Sequence, residues 1–481
     1  MDFKYSFDNK RYHTLNYELV SKFNCRVFKV SLNGNFSCPN FKNKKGCIFC
    51  SALGSGDFAG KKEDSIAKQF DDVKKKLNNK WPDTKYIAYF QANTNTYAPV
   101  NILKKKYEQA LSMPNVVGIN IGTRPDAISD ECLDYLKELN KKTYLTIELG
   151  LQSMHDRTLK LINRGHDLEC FDKCVRKLKE NGIRVVVHII NGLPFETKEM
   201  MIDTAKHLNT LKIDGIKIHM LHILKNTALE NYYKEKPFHL LTKEEYVNIV
   251  CDQIEELNDN IVIHRLTGDG AKDDLIAPLW TLKKVCVLND IDKELKRRGT
   301  YQGFNKSILN RAKLLCKKVV KKGDITVDLT CGNGNDTLFL SNLSKKVFAF
   351  DIQKEATEKT KRLLFKNKCN NVTIINDSHD KVDTYLNDYK KKISLVMFNL
   401  GYLPGGNKSV MTKHVTTLNA IKKSRKLLNN KGIILIVCYP HEEGKRESKE
   451  IINYINENKI NHEIYHNTSN PNAPFLISIH N

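Results

Sequence analysis

The chain has 481 residues, of which 41% are hydrophobic, and this length predicts two or three globular domains. No run of about 18 apolar residues occurs, and the segment Met1–Tyr5 lacks the basic-then-apolar pattern of a signal peptide. We therefore expect neither a membrane-spanning helix nor a secretory leader. The thirteen cysteines follow no disulfide-scaffold pattern, so we expect a reducing, cytoplasmic location.

The formal net charge of +23 predicts a polyanionic partner, and nucleic acid is the leading candidate. Residues 305–481 hold 30 Lys and Arg against 16 Asp and Glu, and the remainder holds 48 against 39, so both parts are basic. Lys and Asn are enriched throughout, as an AT-rich genome would produce. The charge alone therefore leaves a purely compositional explanation open.

A loop with three cysteines follows the first strand-like segment, 25–32. Cys38, Cys47 and Cys50 lie within thirteen residues, and the last two form a Cys-x-x-Cys pair. Three thiolates can hold three irons of a [4Fe–4S] cluster and leave the fourth iron open to S-adenosylmethionine. A zinc site would need a fourth ligand, which no second Cys-x-x-Cys or nearby Cys/His pair supplies, and a disulfide would need an oxidising compartment. The spacing therefore favours the cluster.

Strand-like and helix-like segments alternate about six times through the first part of the chain. Polar residues gather directly after each strand, which is typical of a parallel (β/α) barrel, complete or partial, with its site on the strand-end loops. The pattern predicts strands at 25–32, 86–91, 143–149, 184–190 and 213–224. It predicts helices at 63–79, at 168–181, and through Leu139 from a cap at Ser129 or Asp130.

At these residues the chain resembles the radical S-adenosylmethionine proteins close to the Elongator catalytic subunit. The resemblance covers residues 15–304 and rests on segments in the family's order, namely Phe90–Pro99, Gly122–Asp126, Glu148–Ser153, Ile162–His166, His188–Pro194 and Arg265–Asp269. It implies that the three cysteines bind a [4Fe–4S] cluster. Eight residues separate Cys38 from Cys47 where the commonest loop has three, but this branch uses a longer insert.

The same resemblance implies a pocket for S-adenosylmethionine inside the barrel. Glu148 would contact the ribose or the amino group of that cofactor, and the alternative for Glu148 is a salt-bridged barrel residue. The other residues expected to line the pocket are Gln152, Arg164 and the turn from Gly192 to Glu196. Three histidines alternate with apolar residues, and each is expected to be a barrel-lining side chain rather than a ligand: His188, His219 and His222.

Residues 305–481 restart the pattern as a second predicted domain, distinct from residues 1–304. A basic helix at 308–320 precedes a strand at 325–329, and the glycine-rich turn Thr330–Thr337 leads tightly into a helix. The next strand, 346–350, ends in Asp351, where an acidic residue can accept both ribose hydroxyls of a nucleoside cofactor. No third phosphate-binding glycine pattern appears, which favours S-adenosylmethionine over a dinucleotide.

Two further strands complete this predicted Rossmann-like site. The strand at 372–375 ends in Asn376–His379, which is placed to hold adenine. The strand at 393–400 runs into Gly401–Gly406, where class I methyltransferases place the target atom. The α/β fold expected for the whole chain is therefore a radical SAM barrel followed by a class I methyltransferase domain.

Residues 305–481 also resemble the bacterial methyltransferases of the 5-aminomethyluridine at tRNA position 34. The similarity rests on Asp328–Gly334, Phe398–Gly406 and Asn470–Phe475. It implies 5-methylaminomethyl-(2-thio)uridine as the product. One departure is His441–Gly444 after Tyr439-Pro440, where a Gly usually follows the Pro, so that loop's contact with tRNA is not carried over.

Two sets of residues are predicted for the methyltransferase site. The cofactor-binding residues are Asp328, Gly332, Asn333, Asn335, Asp336, Asp351, Gln353, Ser378 and His379. The residues expected to orient the accepting amine are Asn399, Tyr402 and Asp377.

The two resemblances together imply consecutive steps on one wobble uridine. The barrel would convert 5-carboxymethylaminomethyl-(2-thio)uridine to the 5-aminomethyl form, and the second domain would methylate the freed amine. The expected partners are the tRNA anticodon stem-loop and an electron donor such as flavodoxin or ferredoxin, with no membrane partner.

Other functions stay open at this point. A non-catalytic RNA-binding protein is disfavoured by the intact cysteine loop and the intact 328–336 turn. Radical methylthiolation normally needs an extra cluster, and the sequence shows no second three-cysteine loop. Acyl addition to RNA would need an acyltransferase domain, which the sequence lacks.

Overall fold

The computed structural model describes residues 3–44, 46–51, 59–78, 84–270, 272–401, 411–466 and 473–481. The chain divides into two compact units, Met1–Gly303 and Phe304–Asn481, and each is described by itself. None of the helices within these ranges is both long and apolar enough to cross a membrane.

The strands of the first unit come almost entirely from segments that alternate with helices along the chain. They are β1 (Val27–Leu32), β2 (Lys85–Phe90), β3 (Val116–Thr123), β4 (Tyr144–Gln152), β5 (Arg184–Asn191), β6 (Gly215–Met220), β7 (Ile223–Leu224), β8 (Val262–Arg265) and β9 (Leu275–Ala277). The helices are α1 (Leu15–Phe23), α2 (Pro39–Lys44), α3 (Ile66–Asn78), α4 (Val100–Leu111), α5 (Asp130–Lys142), α6 (Asp156–Leu161), α7 (Leu168–Glu180), α8 (Lys198–Thr210), α9 (Ala228–Glu235), α10 (Lys243–Glu256) and α11 (Lys284–Arg298).

Side-chain caps begin several of these helices at the residues that the sequence makes available. Ser129, rather than Asp130, caps α5 by accepting a hydrogen bond from the Cys132 amide at 3.2 Å. Thr242 and Glu245 form a reciprocal capping box at the start of α10. The caps satisfy backbone amides that would otherwise lack partners, which fixes where each helix begins.

The main sheet of the first unit has seven parallel strands in the order β1-β2-β3-β4-β5-β6-β8. Strands β1 and β8 form its two edges, so the sheet is a partial barrel and confirms the predicted architecture. The segment 213–224, predicted to hold the next strand, holds β6 and also a second, shorter strand. Strand β6 ends at Met220 because Ile223 and Leu224 pair antiparallel with β9 in a separate two-stranded sheet.

The two faces of the barrel sheet differ in polarity, and this difference positions the site. Ile147 and Leu149 of β4 belong to the main hydrophobic core. Glu148 lies between them, and successive side chains of a strand point to opposite faces, so it faces the inside of the barrel. Asn120 of β3 and His188 of β5 alternate with core residues in the same way. The inner face therefore carries a layer of polar groups.

The second unit is a separate α/β sheet. Its strands are β10 (Ile325–Asp328), β11 (Lys346–Phe350), β12 (Val372–Ile375), β13 (Ile393–Asn399), β14 (Leu428–Cys438), β15 (His462–Tyr465) and β16 (Phe475–His480). Its helices are α12 (Ile308–Val319), α13 (Asn335–Leu343), α14 (Lys354–Lys366), α15 (Val382–Leu386), α16 (His414–Leu427) and α17 (Glu442–Glu457).

The sheet of the second unit has the order β12-β11-β10-β13-β14-β16-β15. Strands β10 to β14 are parallel, and β16 runs antiparallel to both of its neighbours. The strand order reverses direction at β10, and ligands of open α/β sheets bind at such a switch point, beyond the carboxyl ends of the strands. This confirms the predicted Rossmann-like fold.

Candidate functional site

A cavity of about 600 Å³ opens at the strand ends of the first unit. Its lining includes all three cysteines of the predicted cluster loop, Cys38, Cys47 and Cys50. Side chains from β1, β2, β4, β5, β6 and β8 line the same cavity. Groups from several strands thus converge on one space, which is how (β/α) barrels build their active sites.

Cys47 is held by one side chain of its own loop and by one from the segment that follows α6. The Asn40 side-chain amide donates to Cys47 Sγ at 3.4 Å and to the Asn163 carbonyl at 2.8 Å. The Arg164 guanidinium donates to the same sulfur at 3.7 Å and to the Gly150 carbonyl at 2.6 Å. The cysteine loop is therefore tied to the carboxyl end of β4.

The local charges favour a thiolate in this loop. The hydrogen bond from Cys50 lowers the pKa of Cys47 to about 5, and Arg164 and Arg124 act in the same direction while burial opposes them. The same hydrogen bond, together with burial, raises the pKa of Cys50. Thiolates, rather than thiols, bind metals, so the loop is prepared for a metal-containing group.

Glu148 lies at the centre of the polar layer inside the barrel and is almost fully buried. Its Oε1 accepts from Lys29 Nζ at 2.9 Å and from the Asn120 side-chain amide at 2.7 Å. Its Oε2 accepts from His188 Nε2 at 2.9 Å and from Lys217 Nζ. The four donors leave the carboxylate well satisfied, which is the salt-bridged environment named above as the alternative for Glu148.

Burial and neighbouring charges oppose each other in this layer. Burial acts to raise the pKa of Glu148, but Lys217, Lys29 and His188 outweigh it and hold that pKa well below its usual range. Burial lowers the pKa of Lys217 to about 7, although Glu148 acts against this change. Burial and Lys217 together lower the pKa of His188 to about 4, so this imidazole is neutral near pH 7.

The structure brings together most of the residues predicted for the barrel pocket. Gln152 and Arg164 line the cavity with Glu148, and so do His188, His219 and His222. Gly192 is not part of the lining, and Glu196 is turned to accept a hydrogen bond from Ser153. The contacts of these residues with a cofactor stay predictions.

Three charged or imidazole side chains of the cavity were not singled out from the sequence, namely Lys29, Lys217 and His264. Three others lie in segments quoted for the resemblance but were not named as pocket residues, namely Arg124, Arg265 and Asp269. A signal for the two lysines existed. Lys29 lies between the apolar Phe28 and Val30 of β1, and Lys217 lies between Ile216 and Ile218 of β6. A lysine at an alternate position of a barrel strand must face the inside, where it needs a partner.

In the second unit, Asp351 follows β11 and contacts the glycine-rich turn. Its two carboxylate oxygens accept from the Gly332 amide at 3.0 Å and from the Gln353 amide at 2.9 Å. Burial raises the pKa of Asp351, while these two hydrogen bonds act against the rise. Three of the predicted cofactor-binding residues are thus in direct contact.

Asp328 is fully buried beneath the same turn. It accepts from the Thr337 hydroxyl at 2.6 Å and from the Thr330 amide at 3.2 Å. Burial, with a smaller effect from Asp336, raises the pKa of Asp328 to about 7. Asp328 therefore supports the turn from below by joining its first residues to α13.

Asp336 and Asn399 connect the ends of two neighbouring strands. The Asn399 side-chain amide donates to Asp336 Oδ2 at 3.1 Å, and the Asn399 backbone amide donates to Thr330 Oγ1 at 2.7 Å. The predicted residues Asn333 and Asn335 lie in the turn and at the first position of α13. The carboxyl ends of β10 and β13 thus form one polar surface.

The remaining predicted residues differ in their surroundings. Asp377 accepts from Lys381 Nζ at 2.9 Å and from the Tyr385 hydroxyl at 2.9 Å, so its carboxylate is already paired. The His379 ring lies edge-on to Phe398 at 6.0 Å, and Ser378 directly precedes it. Tyr402 lies outside the described residues.

Comparison with known proteins identifies both parts of the chain. The radical SAM superfamily model matches residues 39–208, the radical SAM C-terminal domain model matches residues 213–297, and the rRNA methylase model matches residues 347–480. Over 304 residues, the chain is 52% identical to the uncharacterized protein YtqA of Bacillus subtilis (strain 168), which covers 63% of this chain and 94% of YtqA. The chain belongs to the radical SAM family that includes YtqA.

Two further relatives carry names that refer to tRNA. The chain is 38% identical over 155 residues to the chloroplastic tRNA (mnm(5)s(2)U34)-methyltransferase of Arabidopsis thaliana, which is 29% of this chain and 56% of that protein. It is 30% identical over 137 residues to the tRNA uridine(34) acetyltransferase of Methanocaldococcus infernus, which is 28% of this chain and 25% of that protein. The chain thus spans about half the length of the methyltransferase and about a quarter of the length of the acetyltransferase.

This radical SAM protein is an enzyme in which a radical SAM domain is fused to a methyltransferase domain. Radical SAM chemistry uses a [4Fe–4S] cluster and S-adenosylmethionine, and the three cysteines on one cavity fit such a cluster. Among the described residues, no three His, Cys, Asp or Glu side chains are placed to hold one metal ion together.

Proposed function

We propose that this enzyme modifies the wobble uridine of tRNA in two consecutive steps. The radical SAM domain removes the carboxymethyl group of 5-carboxymethylaminomethyl-(2-thio)uridine and leaves the 5-aminomethyl form. The methylene beside the amine would lose a hydrogen atom to the 5′-deoxyadenosyl radical from S-adenosylmethionine and an electron to a one-electron acceptor. Water would then cleave the resulting carbon–nitrogen double bond, which releases the two carbons as glyoxylate and leaves the amine. The methyltransferase domain then transfers a methyl group to the freed amine and gives 5-methylaminomethyl-(2-thio)uridine. The product of the first domain is thus the substrate of the second.

One observation carries this proposal. Two relatives with different chemistries, a methyltransferase and an acetyltransferase, both bear names that refer to uridine 34 of tRNA. A radical SAM domain and a methyltransferase domain occur in this one chain. Two enzymes joined in one chain are most simply explained by a shared substrate, and uridine 34 is the site that both names point to.

The first step suits the cavity of the barrel. A C–H bond beside a secondary amine has no acidity that a base could use at neutral pH, and the cluster with S-adenosylmethionine supplies a radical that can remove this hydrogen atom. Cys38, Cys47 and Cys50 would hold the cluster. The task of the other lining residues is to orient the nucleoside, because a poorly oriented C–H bond would not react.

The second step needs a neutral amine in line with the methyl group of S-adenosylmethionine. A poorly solvated site favours the neutral form of an alkylamine, since burial disfavours its charge. Asn399, held by Asp336, is proposed to orient this amine together with Tyr402 and Asp377. Asp351 and the turn around Gly332 are proposed to bind the cofactor.

The partners follow from the same proposal. The anticodon stem-loop of tRNA is the proposed macromolecular substrate, and its phosphates complement the net charge of +23. An electron donor such as flavodoxin or ferredoxin is proposed to reduce the cluster.

Nucleoside mass spectrometry of tRNA from a strain that lacks the gene tests the proposal. We expect 5-carboxymethylaminomethyl-(2-thio)uridine to accumulate and the methylaminomethyl nucleoside to disappear. The wild-type gene should restore the product, and a Cys47→Ala gene should not. Unchanged position 34 nucleosides in the deletion strain would contradict the proposed function.

A further inference from the structure

We propose that the inner end of the barrel cavity is an anion subsite, formed by Lys29 and Lys217, that binds the carboxylate of the carboxymethylaminomethyl group. This inference rests on the proposed function and names the part of the substrate that the barrel recognises. It also gives Glu148 a specific task, which is to position the two lysines.

The charged side chains around Glu148 favour an anionic ligand. Lys29 and Lys217 both line the cavity, and both contact one carboxylate, that of Glu148. Arg265, which also lines the cavity, pairs with Asp269 at 2.5 Å, and Lys284 contacts the same carboxylate. Two lysines therefore share a single carboxylate in a largely buried layer. Because burial lowers the pKa of Lys217 to about 7, its ammonium form is only partly populated near neutral pH, and a bound anion would stabilise that form. Buried charges are stable only when they are paired, so this arrangement calls for an anionic ligand.

The hydrogen-bonding capacity of Lys29 and Lys217 also fits a carboxylate. An ammonium group has three N–H donors. Lys29 donates to Glu148 at 2.9 Å and to His264 Nδ1 at 3.1 Å, and Lys217 donates to Glu148 and to the Tyr89 hydroxyl at 3.1 Å. Within the described part of the chain neither lysine has a third hydrogen-bond partner, so each ammonium form has one further N–H. Two such donors on one cavity match the two oxygens of a carboxylate.

The imidazoles around the subsite are neutral near pH 7. Burial lowers the pKa of His219 and of His264, and His188 is also neutral near pH 7. His219 Nε2 is buried and has no hydrogen-bond partner within the described part of the chain. His219 lines the cavity, so this nitrogen is a further polar contact for a bound ligand.

The position of the subsite places the reacting bond. Glu148 lies two residues before Gly150 on β4, and the Gly150 carbonyl contacts Arg164, which contacts Cys47. Two residues of a strand span about 6.6 Å. The lysines therefore lie one side-chain layer deeper than the cysteine loop. A carboxylate bound to them holds its neighbouring methylene between the subsite and the cysteines.

The subsite also explains how the barrel would distinguish its substrate from its product. Removal of the carboxymethyl group eliminates the anion and leaves a primary amine, which is positively charged near neutral pH. Two lysines repel such a group. The barrel should therefore bind the carboxymethylaminomethyl nucleoside and release the aminomethyl nucleoside, which the methyltransferase domain needs next.

Equilibrium binding of two synthetic anticodon stem-loops to the full chain without cluster tests this inference. The RNAs carry either 5-carboxymethylaminomethyluridine or 5-aminomethyluridine at position 34. Wild type should prefer the carboxylated RNA by about tenfold or more, the scale of a charge-assisted hydrogen bond. Lys217→Met and Lys29→Met should each reduce the preference to about threefold or less. Because the methyltransferase domain is itself proposed to bind the aminomethyl RNA, the lysine variants decide: an unchanged affinity for the carboxylated RNA in both variants would overturn the subsite.

Matched variants separate the subsite from general effects of charge. Lys243→Met removes a lysine that pairs with Asp290 at 2.7 Å outside the cavity, and it should keep the full preference. Glu148→Gln leaves both lysines without their counterion, and it should keep or increase the preference. If Glu148→Gln abolishes the preference while both lysine variants retain it, the subsite is wrong.

Two outcomes separate the anion subsite from the proposed function, and from the alternative that the lysines bind the carboxylate of S-adenosylmethionine. S-adenosylmethionine also has a carboxylate, so its affinity is measured in the reconstituted proteins. Unchanged affinity in Lys217→Met supports the substrate as the source of the anion, and a loss of affinity with the RNA preference intact would overturn the proposal. If the preference holds but the enzyme never removes the carboxymethyl group, the proposed function fails and the anion subsite remains.

Discussion

Asp328 is a single carboxylate whose ionisation should affect the stability of the methyltransferase unit. Burial raises its pKa to about 7 in the folded chain, against 3.8 as the reference value. A raised folded pKa means that the native state holds the proton more tightly, so stability is lost as the pH rises from about 4 through 7. The stabilising contacts to Thr337 and Thr330 are present at both ends of this range.

We expect Asp328→Asn to be close to wild type at pH 3.5 and more stable than wild type at pH 7.5. The amide keeps an acceptor and carries no charge, and the difference should reach roughly 2–4 kcal/mol. Hydrogen exchange of β10 and β13, compared between the two proteins at each pH, measures this. Equal hydrogen-exchange protection of wild type and variant at pH 7.5 would show that the charge of Asp328 does not destabilise the unit.

Asp351 is the residue whose loss should weaken the methyltransferase cofactor most directly. Asp351→Ala removes the acceptor of the Gly332 and Gln353 amides together with the proposed contact to the ribose. We expect the affinity for S-adenosylhomocysteine to fall by about 1–3 kcal/mol in the chain without cluster, as measured by calorimetry. Asp383→Ala, which removes an exposed partner of Lys423, is the control and should bind normally. Unchanged affinity in Asp351→Ala would place the ribose contact elsewhere.

At the scale of elements, the cysteine loop depends on its attachment to β4. Arg164 connects Cys47 to the Gly150 carbonyl, and Arg157 is an exposed arginine on the neighbouring α6. Arg164→Met should therefore lower the iron bound after anaerobic reconstitution to about half of the roughly four irons of a cluster or less, while Arg157→Met should not. Iron content and the visible absorption of the cluster measure this. Full iron in Arg164→Met would show that the loop needs no such support.

The sequence was sufficient to predict strands that alternate strongly with helices. Strands β1, β5 and β10 to β13 lie within two residues of the expected bounds, because apolar runs ended by polar loops leave little choice. The break between β6 and β7 could not be predicted, since it depends on pairing with β9, some 50 residues later in the chain. Strand pairing over such distances is not encoded in local patterns.

The site shows the same division between local and distant information. The cysteine loop and the turn from Asp328 to Asp336 are short motifs, so their residues could be named from the sequence. Lys29 and Lys217 meet around Glu148 only because β1, β4 and β6 face one cavity. A pattern of single lysines at inward positions of barrel strands would have found them.

For the whole molecule, the central claim is that two domains act in order on one nucleoside. The measurement that tests it most directly follows tRNA containing 5-carboxymethylaminomethyluridine through purified, reconstituted enzyme with S-adenosylmethionine, with the nucleosides read by mass spectrometry. Wild type should yield the methylaminomethyl nucleoside. Cys50→Ala should leave the substrate unchanged, and Asp351→Ala should stop at the aminomethyl nucleoside. A methylated product from Cys50→Ala, or the same nucleoside from both variants, would contradict sequential action.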